Sequence, residues 1–340
     1  MSEKKLLEVE HLKMYFPLQQ RTEKHEHAYV KAVEDISFSI EAGKTFGLVG
    51  ESGCGKTTAG KCILRIYRPT AGTIRYEGVD ITNLSAGKLK PYRRDIQLIF
   101  QDPYGSLDPR QSVHSILREA ITADHKRRTG PEIRQEVERL LRLVELDPSM
   151  GDRYPHEMSG GQRQRLGIAR ALACNPKLIV CDEPVSALDV SIQAQIINLF
   201  KTLQKKLGLT YLFIAHDLAV VRHIADVIGV MYLGHIVEVM EAQELYAKPL
   251  HPYTRALLSA VPITDYDEEQ TRQREGLQGE VPSPIHVPAG CPFHPRCKYA
   301  CAACRTRLPL LADAGNGHLV ACHRMAPSEA EGASPAAATE

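Results

Sequence analysis

Hydrophobic and polar positions alternate in the first part of the chain, as they do in half-buried β-strands. The alternation covers residues 6–16 and 32–40, and the polar stretch at 21–27 between them predicts an exposed loop. Residues 72–81 have the pattern of a further hairpin. The N-terminal part of the chain therefore predicts an antiparallel β layer.

Other hydrophobic segments are short and continuous, which is typical of parallel strands buried on both faces. They are residues 45–49, 97–100, 178–181 and 211–215. From 112 to 158 the period becomes helical, most clearly over 132–143. Strands and helices therefore alternate through the middle of the chain.

The C-terminal part changes in character. Residues 251–260 predict a helix with Pro252 in its first turn. Residues 264–280 are polar and charged and predict an exposed linker. Residues 325–340 predict a disordered tail. A segment rich in Pro and Cys lies between the linker and the tail.

Residues 50–58, GESGCGKTT, match the phosphate-binding pattern G-x-x-x-x-G-K-T between a predicted strand and a predicted helix. The glycines let the backbone surround a phosphate, and the N–H groups at the helix start supply an anion site. Lys56 can reach the β- and γ-phosphates, and Thr57 offers a hydroxyl to Mg²⁺. A chance glycine-rich turn is the alternative, which the strand and helix on either side make a poor explanation. The predicted nucleotide contacts are Gly50, Ser52, Gly53, Cys54, Gly55, Lys56, Thr57 and Thr58.

The apolar strand 178–181 is followed by two acids, Asp182 and Glu183. Ligands of open α/β sheets lie at the carboxyl ends of the strands. Asp182 can hold Mg²⁺ there, while Glu183 points elsewhere and can polarise an attacking water. Without the P-loop, a pair of solvated acids would be the better explanation.

A second motif is the sequence SGGQ at 159–162. Ser159 and Gln162 have capping-box spacing, and a helical pattern follows them. Gly160 and Gly161 leave the N–H groups of that helix open, which suits a second anion. A well-capped helix alone would explain Ser159 and Gln162 but not two consecutive glycines.

Composition is that of an ordinary globular chain, with 340 residues, 43% hydrophobic and 24% charged, and a length that suits one large domain with additions or two domains. The formal net charge of +1 gives no general reason to expect nucleic-acid binding. No apolar run approaches the length of a membrane span, and the N-terminus lacks the apolar segment of a signal peptide. We therefore expect a chain that neither crosses a membrane nor is exported.

Five of the nine cysteines crowd into the C-terminal part: Cys291, Cys297, Cys301, Cys304 and Cys322. In a reducing compartment such a group favours metal binding over disulfides. Four thiolates can hold zinc or an iron–sulfur cluster, and the C-x-x-C pair at 301–304 taken alone favours zinc. Core packing of small thiols is the alternative, which the shortage of apolar residues nearby argues against.

The order of the motifs resembles that of ABC transporter ATPase subunits: a P-loop, then Gln101, SGGQ, Asp182-Glu183, the segment SALD at 186–189, and His216. The sequences IFQDPYGSLDPR, HEMSGGQRQR, HPYTRALLSAVP and the Cys-rich tail resemble the oligopeptide/dipeptide importer branch. Residues 91–110 resemble the second of the two ATPase subunits of such importers. The resemblance implies a P-loop α/β core with a parallel sheet, an antiparallel β subdomain and a helical subdomain near 105–170.

The resemblance also implies residue roles. Catalytic roles fall to Glu183, to Gln101 as a sensor of the γ-phosphate and to His216 as a γ-phosphate switch, and Mg²⁺ contacts fall to Thr57, Gln101 and Asp182. Tyr15 is implied to stack on adenine, and Phe16 and Tyr29 are alternatives for this role. Further nucleotide contacts are implied across a dimer interface, from Ser159, Gly160, Gly161, Gln162 and Asp189. Residues 102–110 belong to the surface that receives a helix of a membrane subunit.

The implied cofactors are ATP, Mg²⁺ and a [4Fe-4S] cluster, with zinc as the alternative to the cluster. The cluster's implied ligands are Cys291, Cys297, Cys304 and Cys322, spaced C-x5-C-x6-C-x17-C, and Cys301 is extra to that set. The implied divisions are a nucleotide-binding domain at 1–262, a linker at 263–290, a Cys-rich segment at 291–324 and a tail at 325–340.

The implied partners are a related ATPase subunit in a heterodimer, two membrane-spanning permease subunits and, indirectly, an extracytoplasmic peptide-binding protein, but no nucleic acid. The chain would lie on the cytoplasmic face of the cell (inner) membrane. Peptides are the implied cargo, and nickel chelates, glutathione and antimicrobial peptides remain alternatives. A soluble ABC ATPase acting on nucleic acid or ribosomes lacks support, since such chains usually carry two cassettes or a coiled-coil insertion. A redox or metal sensor would not need the intact Glu183 and SGGQ.

Overall fold

The computed structural model describes residues 4–21, 27–123, 127–245, 247–260 and 279–324. The strands in these ranges form one four-stranded and one eight-stranded sheet. Most of the predicted linker at 264–280 and the whole predicted tail at 325–340 lie outside the described residues.

The four-stranded sheet is antiparallel, in the order β2-β1-β4-β5. Its strands are β1 (Lys5–Arg21), β2 (His27–Glu41), β4 (Ala71–Tyr76) and β5 (Val79–Asp80). The predicted β layer is confirmed, but β1 and β2 are longer than expected. Arg21 still pairs with His27, so the two ends of the predicted loop at 21–27 belong to strands, while 22–26 lie outside the described residues. Backbone pairing can continue through polar residues where a hairpin extends beyond the apolar core.

The eight-stranded sheet has the order β11-β12-β10-β9-β3-β8-β7-β6. Its strands are β3 (Thr45–Val49), β6 (Ile96–Ile99), β7 (Leu178–Asp182), β8 (Thr210–Ala215), β9 (Val227–Tyr232), β10 (His235–Glu241), β11 (Ala312–Asp313) and β12 (Leu319–Val320). The run from β9 to β6 is parallel, and β10, β12 and β11 continue the sheet in antiparallel pairs. The predicted parallel sheet is thereby confirmed.

Both faces of this sheet are buried, as the continuous apolar runs predict. Along β7, Leu178 and Val180 join a hydrophobic cluster with the antiparallel sheet, whereas Ile179 and Cys181 join the cluster formed with the helices. Because side chains alternate between the faces of a strand, every position of such a strand must be apolar. Polar residues are therefore excluded from the interior of the central strands and lie where these strands end, at the carboxyl edge of the sheet.

Helices surround the parallel part. They are α1 (Lys56–Ile63), α2 (Ala86–Leu89), α3 (Tyr92–Asp95), α4 (Pro103–Ser106), α5 (Val113–Thr122), α6 (Gly130–Leu143), α7 (Gly160–Leu172), α8 (Val190–Leu207), α9 (Leu218–Ile224), α10 (Pro252–Ser259) and α11 (Ala302–Thr306). Helices α5, α6 and α7 contact one another and form the expected helical subdomain. None of the described helices combines the length and the apolar character that crossing a membrane requires.

Residues 279–324, which we call the C-terminal extension, pack directly on this core. Strand β12 pairs with β10, and His318 Nε2 lies 2.8 Å from the fully buried Glu238 Oε1. Cys291 and Cys304 are each only 7% exposed and belong to the cluster formed by the helices and the large sheet. The expectation that these thiols would stay out of a core was wrong for these two, because the sheet and helices supply the apolar surface that the extension's own sequence lacks.

Candidate functional site

The P-loop connects β3 to α1 in a backbone conformation that requires glycine. Gly50 has φ of 153° and Gly55 has φ of 110°. A Cβ on Gly50 would lie 2.1 Å from the carbonyl oxygen of Met231, and one on Gly55 would lie 2.0 Å from that of Ala32. The loop is thus held tightly between β9 and β2, which fixes the N–H groups at the start of α1 for an anion.

Lys56 begins α1 and turns back over the loop. Its ammonium donates to the carbonyl oxygens of Gly50 at 2.7 Å and Glu51 at 3.0 Å. The residue is 4% exposed, so the structure keeps a buried cation at the predicted phosphate site. Burial also raises the pKa of the neighbouring Cys54 thiol, so that this side chain stays neutral.

Thr57 and Asp182 form the predicted Mg²⁺ position. The Thr57 hydroxyl donates to Asp182 Oδ1 at 2.7 Å, which joins the start of α1 to the end of β7. Burial raises the pKa of Asp182 above its ordinary value, and the hydrogen bond from Thr57 opposes that effect. A hydroxyl and a carboxylate side by side are the oxygen ligands that Mg²⁺ prefers, so the residues fit the ion.

Glu183 lies between the two other predicted catalytic residues. Gln101 Nε2 donates to Glu183 Oε2 at 2.9 Å, and His216 Nδ1 lies 3.2 Å from the same oxygen. Glu183 has φ of 45°, which is uncommon for a residue with a side chain, and strained backbone of this kind concentrates at functional sites. The carboxyl ends of β6, β7 and β8 thus bring the three side chains together.

A cleft of about 430 Å³ contains nine of the residues predicted to bind the nucleotide or to act in catalysis. It is lined by Val30, Ala32, Ser52, Gly53, Gly55, Lys56, Thr57, Thr58, Gln101, Glu183, His216 and Pro284. Its volume lies in the range of small-molecule sites. Pro284, from the C-terminal extension, is a lining residue that the sequence analysis did not find.

The predicted adenine-stacking residues do not line this cleft. The Tyr15 hydroxyl donates to Glu34, and Lys31 lies over the Tyr15 ring at 5.7 Å. Phe16 packs edge-on against Tyr67 at 5.3 Å. Tyr29 is 45% exposed and precedes Val30, a lining residue. The assignment of an adenine-stacking aromatic stays a prediction.

The SGGQ motif forms the predicted capping box. Gln162 N donates to Ser159 Oγ at 3.3 Å, and Ser159 N donates to Gln162 Oε1 at 3.0 Å. A Cβ on Gly161 would lie 2.7 Å from Ile192 Cγ2, so close packing against α8 already requires this glycine, which the sequence analysis did not foresee. Among the described residues that line the P-loop cleft, none comes from SGGQ. Within one chain the two motifs are therefore separate.

Asp189 caps the N-terminus of α8. Its carboxylate accepts hydrogen bonds from the Ser191 hydroxyl at 2.7 Å and from Ile192 N at 3.0 Å, and these bonds lower its pKa. The adjacent Val190 is 81% exposed. Asp189 and Val190 therefore lie on the open surface of the chain, at the start of α8.

The C-terminal cysteines gather in space, yet they do not form a ready metal site. Among the described residues, no three His, Cys, Asp or Glu side chains are placed to hold a metal ion, so neither zinc nor the cluster is supported by the structure. Burial is the main cause that raises the pKa of Cys291, to about 11. The nearby thiols of Cys304, Cys322 and Cys297 raise it further through their charges. Cys301 Sγ and Cys304 Sγ are 3.4 Å apart.

Sequence reasoning also missed contacts on the outer side of the P-loop. Arg296 pairs with Glu51 at 2.7 Å, and Glu51 N donates to the Tyr253 hydroxyl at 2.9 Å. The one available signal was the acid at position 51, an anion inside a loop that binds anions.

Comparison with known proteins yields two family matches. The family described as ABC transporter matches residues 33–186, and the family described as Oligopeptide/dipeptide transporter, C-terminal region matches residues 237–304. Oligopeptide transport ATP-binding protein AppF of Bacillus subtilis is 53% identical over 94% of this chain and 97% of its own length. Probable peptide ABC transporter ATP-binding protein y4tS of Sinorhizobium fredii is 49% identical over 98% of this chain and 93% of its own.

Solved structures show the same fold. A dimeric post-hydrolysis state of the ATP-binding cassette MJ0796, bound to ADP and Pi, matches with a TM-score of 0.61 and 28% identity over 69% of this chain and 98% of that one. The protein cbiO1 of Clostridium perfringens, part of the transporter complex cbiONQ, matches with a TM-score of 0.62 and 28% identity over 72% of this chain and 92% of its own.

Proposed function

The chain belongs to the ATP-binding proteins of ABC transporters of the oligopeptide/dipeptide type, and from this premise we propose that it hydrolyses ATP to drive the import of peptides. The observation that carries the proposal is the arrangement of Lys56, Thr57, Gln101, Glu183 and His216 around one cleft. A phosphate-binding loop, an Mg²⁺ position and a carboxylate for water activation are together what phosphoryl transfer to water requires.

Each residue has a role that its position supports. Lys56 neutralises the β- and γ-phosphates after leaving the carbonyl oxygens that it now contacts. Thr57 and Asp182 hold Mg²⁺, which when bound neutralises charge on the phosphate oxygens. Glu183 accepts the proton of the attacking water, while Gln101 and His216 orient its carboxylate and sense the γ-phosphate. The hydrolysis is thus a matter of placement and charge stabilisation.

We propose that the working site is shared between two chains. SGGQ does not line the P-loop cleft of its own chain, and the exposed Asp189 and Val190 offer an interface next to it. MJ0796, a structural relative, is dimeric. In a dimer the free N–H groups at Gly160 and Gly161 would face the nucleotide held by the partner's P-loop. The partner is a related ATPase subunit, and this chain is the second of the pair.

The permease subunits are proposed to bind beside the helical subdomain. A cavity of about 900 Å³ there is bordered by Arg94, Leu107, Asp108 and Arg170. Close to it the aromatic side chains of Phe100 and Tyr104 are 44% and 53% exposed. A groove with apolar and charged walls next to Gln101 suits a short helix of a membrane subunit, and it would pass movement to the catalytic residues.

Location and cargo follow from the relatives. Their names place them in peptide transport and peptide import. The chain would lie at the cytoplasmic face of the inner membrane, where a binding protein on the other side delivers the peptide to the permease. This chain itself then needs no contact with the cargo.

The test of this function is ATP-driven uptake. Vesicles that contain the assembled transporter should take up a labelled oligopeptide only with ATP inside and the binding protein outside. A nickel chelate or glutathione offered to the same vesicles serves as the control for cargo. ATP hydrolysis without uptake of peptide would contradict the peptide assignment, and absence of ATP hydrolysis in the assembled transporter would contradict the whole proposal.

We also propose that Cys291, Cys297, Cys304 and Cys322 hold a [4Fe-4S] cluster. The proposal rests on the spacing of these four cysteines in the sequence and on their proximity, through which their charges act on one another; the thiols would have to move closer together to ligate a cluster. A cluster is several atoms across, so its ligands lie farther apart than the four ligands of a zinc ion. The cluster would have a structural role, because none of the proposed hydrolysis residues lies in this segment.

Anaerobic purification tests the cluster. The protein should be brown, with about four iron and four sulfide per chain, the content of one such cluster. Cys304→Ser should remove most of the colour if Cys304 is a ligand, whereas Cys174→Ser, outside the extension, serves as the matched control. Stoichiometric zinc without iron or sulfide would replace the cluster by a zinc site, and the absence of both metals would contradict any metal centre.

A further inference from the structure

The C-terminal extension reaches the P-loop through an arginine. Both terminal nitrogens of Arg296 contact the Glu51 carboxylate, at 2.7 and 3.1 Å. The Arg296 side chain is 5% exposed and that of Glu51 is 24% exposed. A two-point pair of this kind, largely shielded from water, has a defined geometry and is stronger than an exposed ion pair.

Glu51 poses an electrostatic problem for a phosphate site. It lies in the loop between Gly50 and Ser52, and its own carbonyl oxygen accepts a hydrogen bond from Lys56. An unpaired carboxylate here would repel the phosphates of a nucleotide. It would also attract the Lys56 ammonium, which the phosphates need. The loop can serve as an anion site only if this negative charge is neutralised.

Arg296 is held in place to supply that neutralisation. It ends the 3₁₀ helix His294–Arg296, directly after Phe293. The Phe293 ring packs against Tyr232 at 5.2 Å and Tyr253 at 5.4 Å. The hydroxyl of that same Tyr253 accepts the hydrogen bond from Glu51 N. The buried aromatic rings of Tyr232, Tyr253 and Phe293 therefore fix Arg296 in place. Through the Tyr253 hydroxyl they also fix the backbone of Glu51, the residue that Arg296 neutralises.

The extension also reaches the nucleotide cleft from a second side. The carbonyl oxygen of Pro284 accepts a hydrogen bond from Lys31 N at 3.2 Å, and Pro284 itself lines the cleft beside Val30 and Ala32. The described part of the extension thus reaches the P-loop through the charged side chain of Arg296 and the cleft through Pro284.

We infer that Arg296 is a positioning residue of the nucleotide site, through which the C-terminal extension sets the affinity of the P-loop for ATP. The inference rests on the proposed ATPase function. Arg296 is not among the described residues that line the nucleotide cleft. It holds the Glu51 carboxylate away from Lys56 and cancels its charge, so that the Lys56 ammonium can exchange the carbonyl oxygens of Gly50 and Glu51 for the phosphates.

The test compares ATP affinity and turnover in the assembled transporter, with a fluorescent ATP analogue as the probe. Arg296→Ala should weaken binding and raise KM for ATP about tenfold, near the lower end of what leaving a charged group unpaired costs. Changes in kcat should stay below about twofold, because Glu183 is untouched. The double variant Arg296→Ala/Glu51→Gln should recover most of the affinity, since the charge that needed neutralising is gone. Arg305→Ala, an exposed arginine of the same extension, should bind like the wild type.

Two results would overturn the inference: unchanged affinity in Arg296→Ala, or no recovery in the double variant, which would mark Arg296 as a merely structural residue. If Arg296→Ala fails to fold, Arg296→Lys takes its place. Lysine keeps the charge but loses the two-point geometry, so a severalfold loss that Glu51→Gln reverses is expected, and no loss overturns the inference. A wild-type transporter that binds no ATP would instead contradict the proposed function.

Discussion

Glu183→Gln should slow ATP turnover of the assembled transporter by about 10²–10⁴-fold, the usual contribution of a positioned general base. The amide keeps the size of the side chain and an oxygen for Gln101, which donates at 2.9 Å in the wild type. It cannot take a proton from water. ATP binding should therefore persist, and an ATP-bound closed dimer should accumulate, which gel filtration with trapped nucleotide can measure.

A matched variant for this experiment is Glu136→Gln on the surface of α6. Glu136 pairs with Arg139 in the same helix, at 2.6 Å, far in the sequence from the site. ATP turnover in Glu136→Gln should equal that of the wild type. Near-normal turnover in Glu183→Gln would rule out Glu183 as the base and return the question to His216.

Lys56→Ala should abolish nucleotide binding at this chain's own P-loop. The ammonium is buried, and Lys56 is the only lysine or arginine among the described residues that line the cleft, so no other lining cation can replace it. Ser159→Arg should instead empty the site on the partner's P-loop, because SGGQ completes that site across the dimer. Nucleotide occupancy measured site by site in the complex separates the two effects.

Lys201→Ala and Ser115→Arg are the controls for this pair, since both residues are exposed on helices and neither lines the cleft. Both should leave the two occupancies unchanged. If Ser159→Arg emptied only the P-loop site of its own chain, the shared-site arrangement would be wrong.

Nine of the twelve residues that line the P-loop cleft were predicted from the sequence, because their signals are local. A P-loop is a run of nine residues, and the strand before it and the helix after it are contiguous with it. Glu183 and His216 follow apolar strands, and the parallel sheet necessarily brings strand ends to one edge. The sequence analysis assigned roles to Gln101 and His216 by resemblance, and the structure adds their contacts with Glu183.

Other features could not be predicted because they depend on distant partners. Glu51 and Arg296 are 245 residues apart, and nothing near either residue specifies the other. The sequence explained Gly161 as part of an open anion site. The packing of Ile192 against it is a second reason why this position is glycine, and it is visible only in the structure. The contacts of Tyr15 with Glu34 and Lys31 likewise could not be predicted, and its role in adenine stacking stays a prediction.

The pairing of β12 with β10 has a consequence for how the chain is made. His318 and Glu238 meet across 80 residues, so during synthesis β10 is complete long before its neighbour leaves the ribosome. Until then β10 is an unprotected sheet edge, a surface prone to pairing with other chains. By pairing with β10, strand β12 therefore protects the chain against aggregation through this edge. Chains that end after β10 but before residue 319 should accumulate in inclusion bodies, although they contain every ATPase motif.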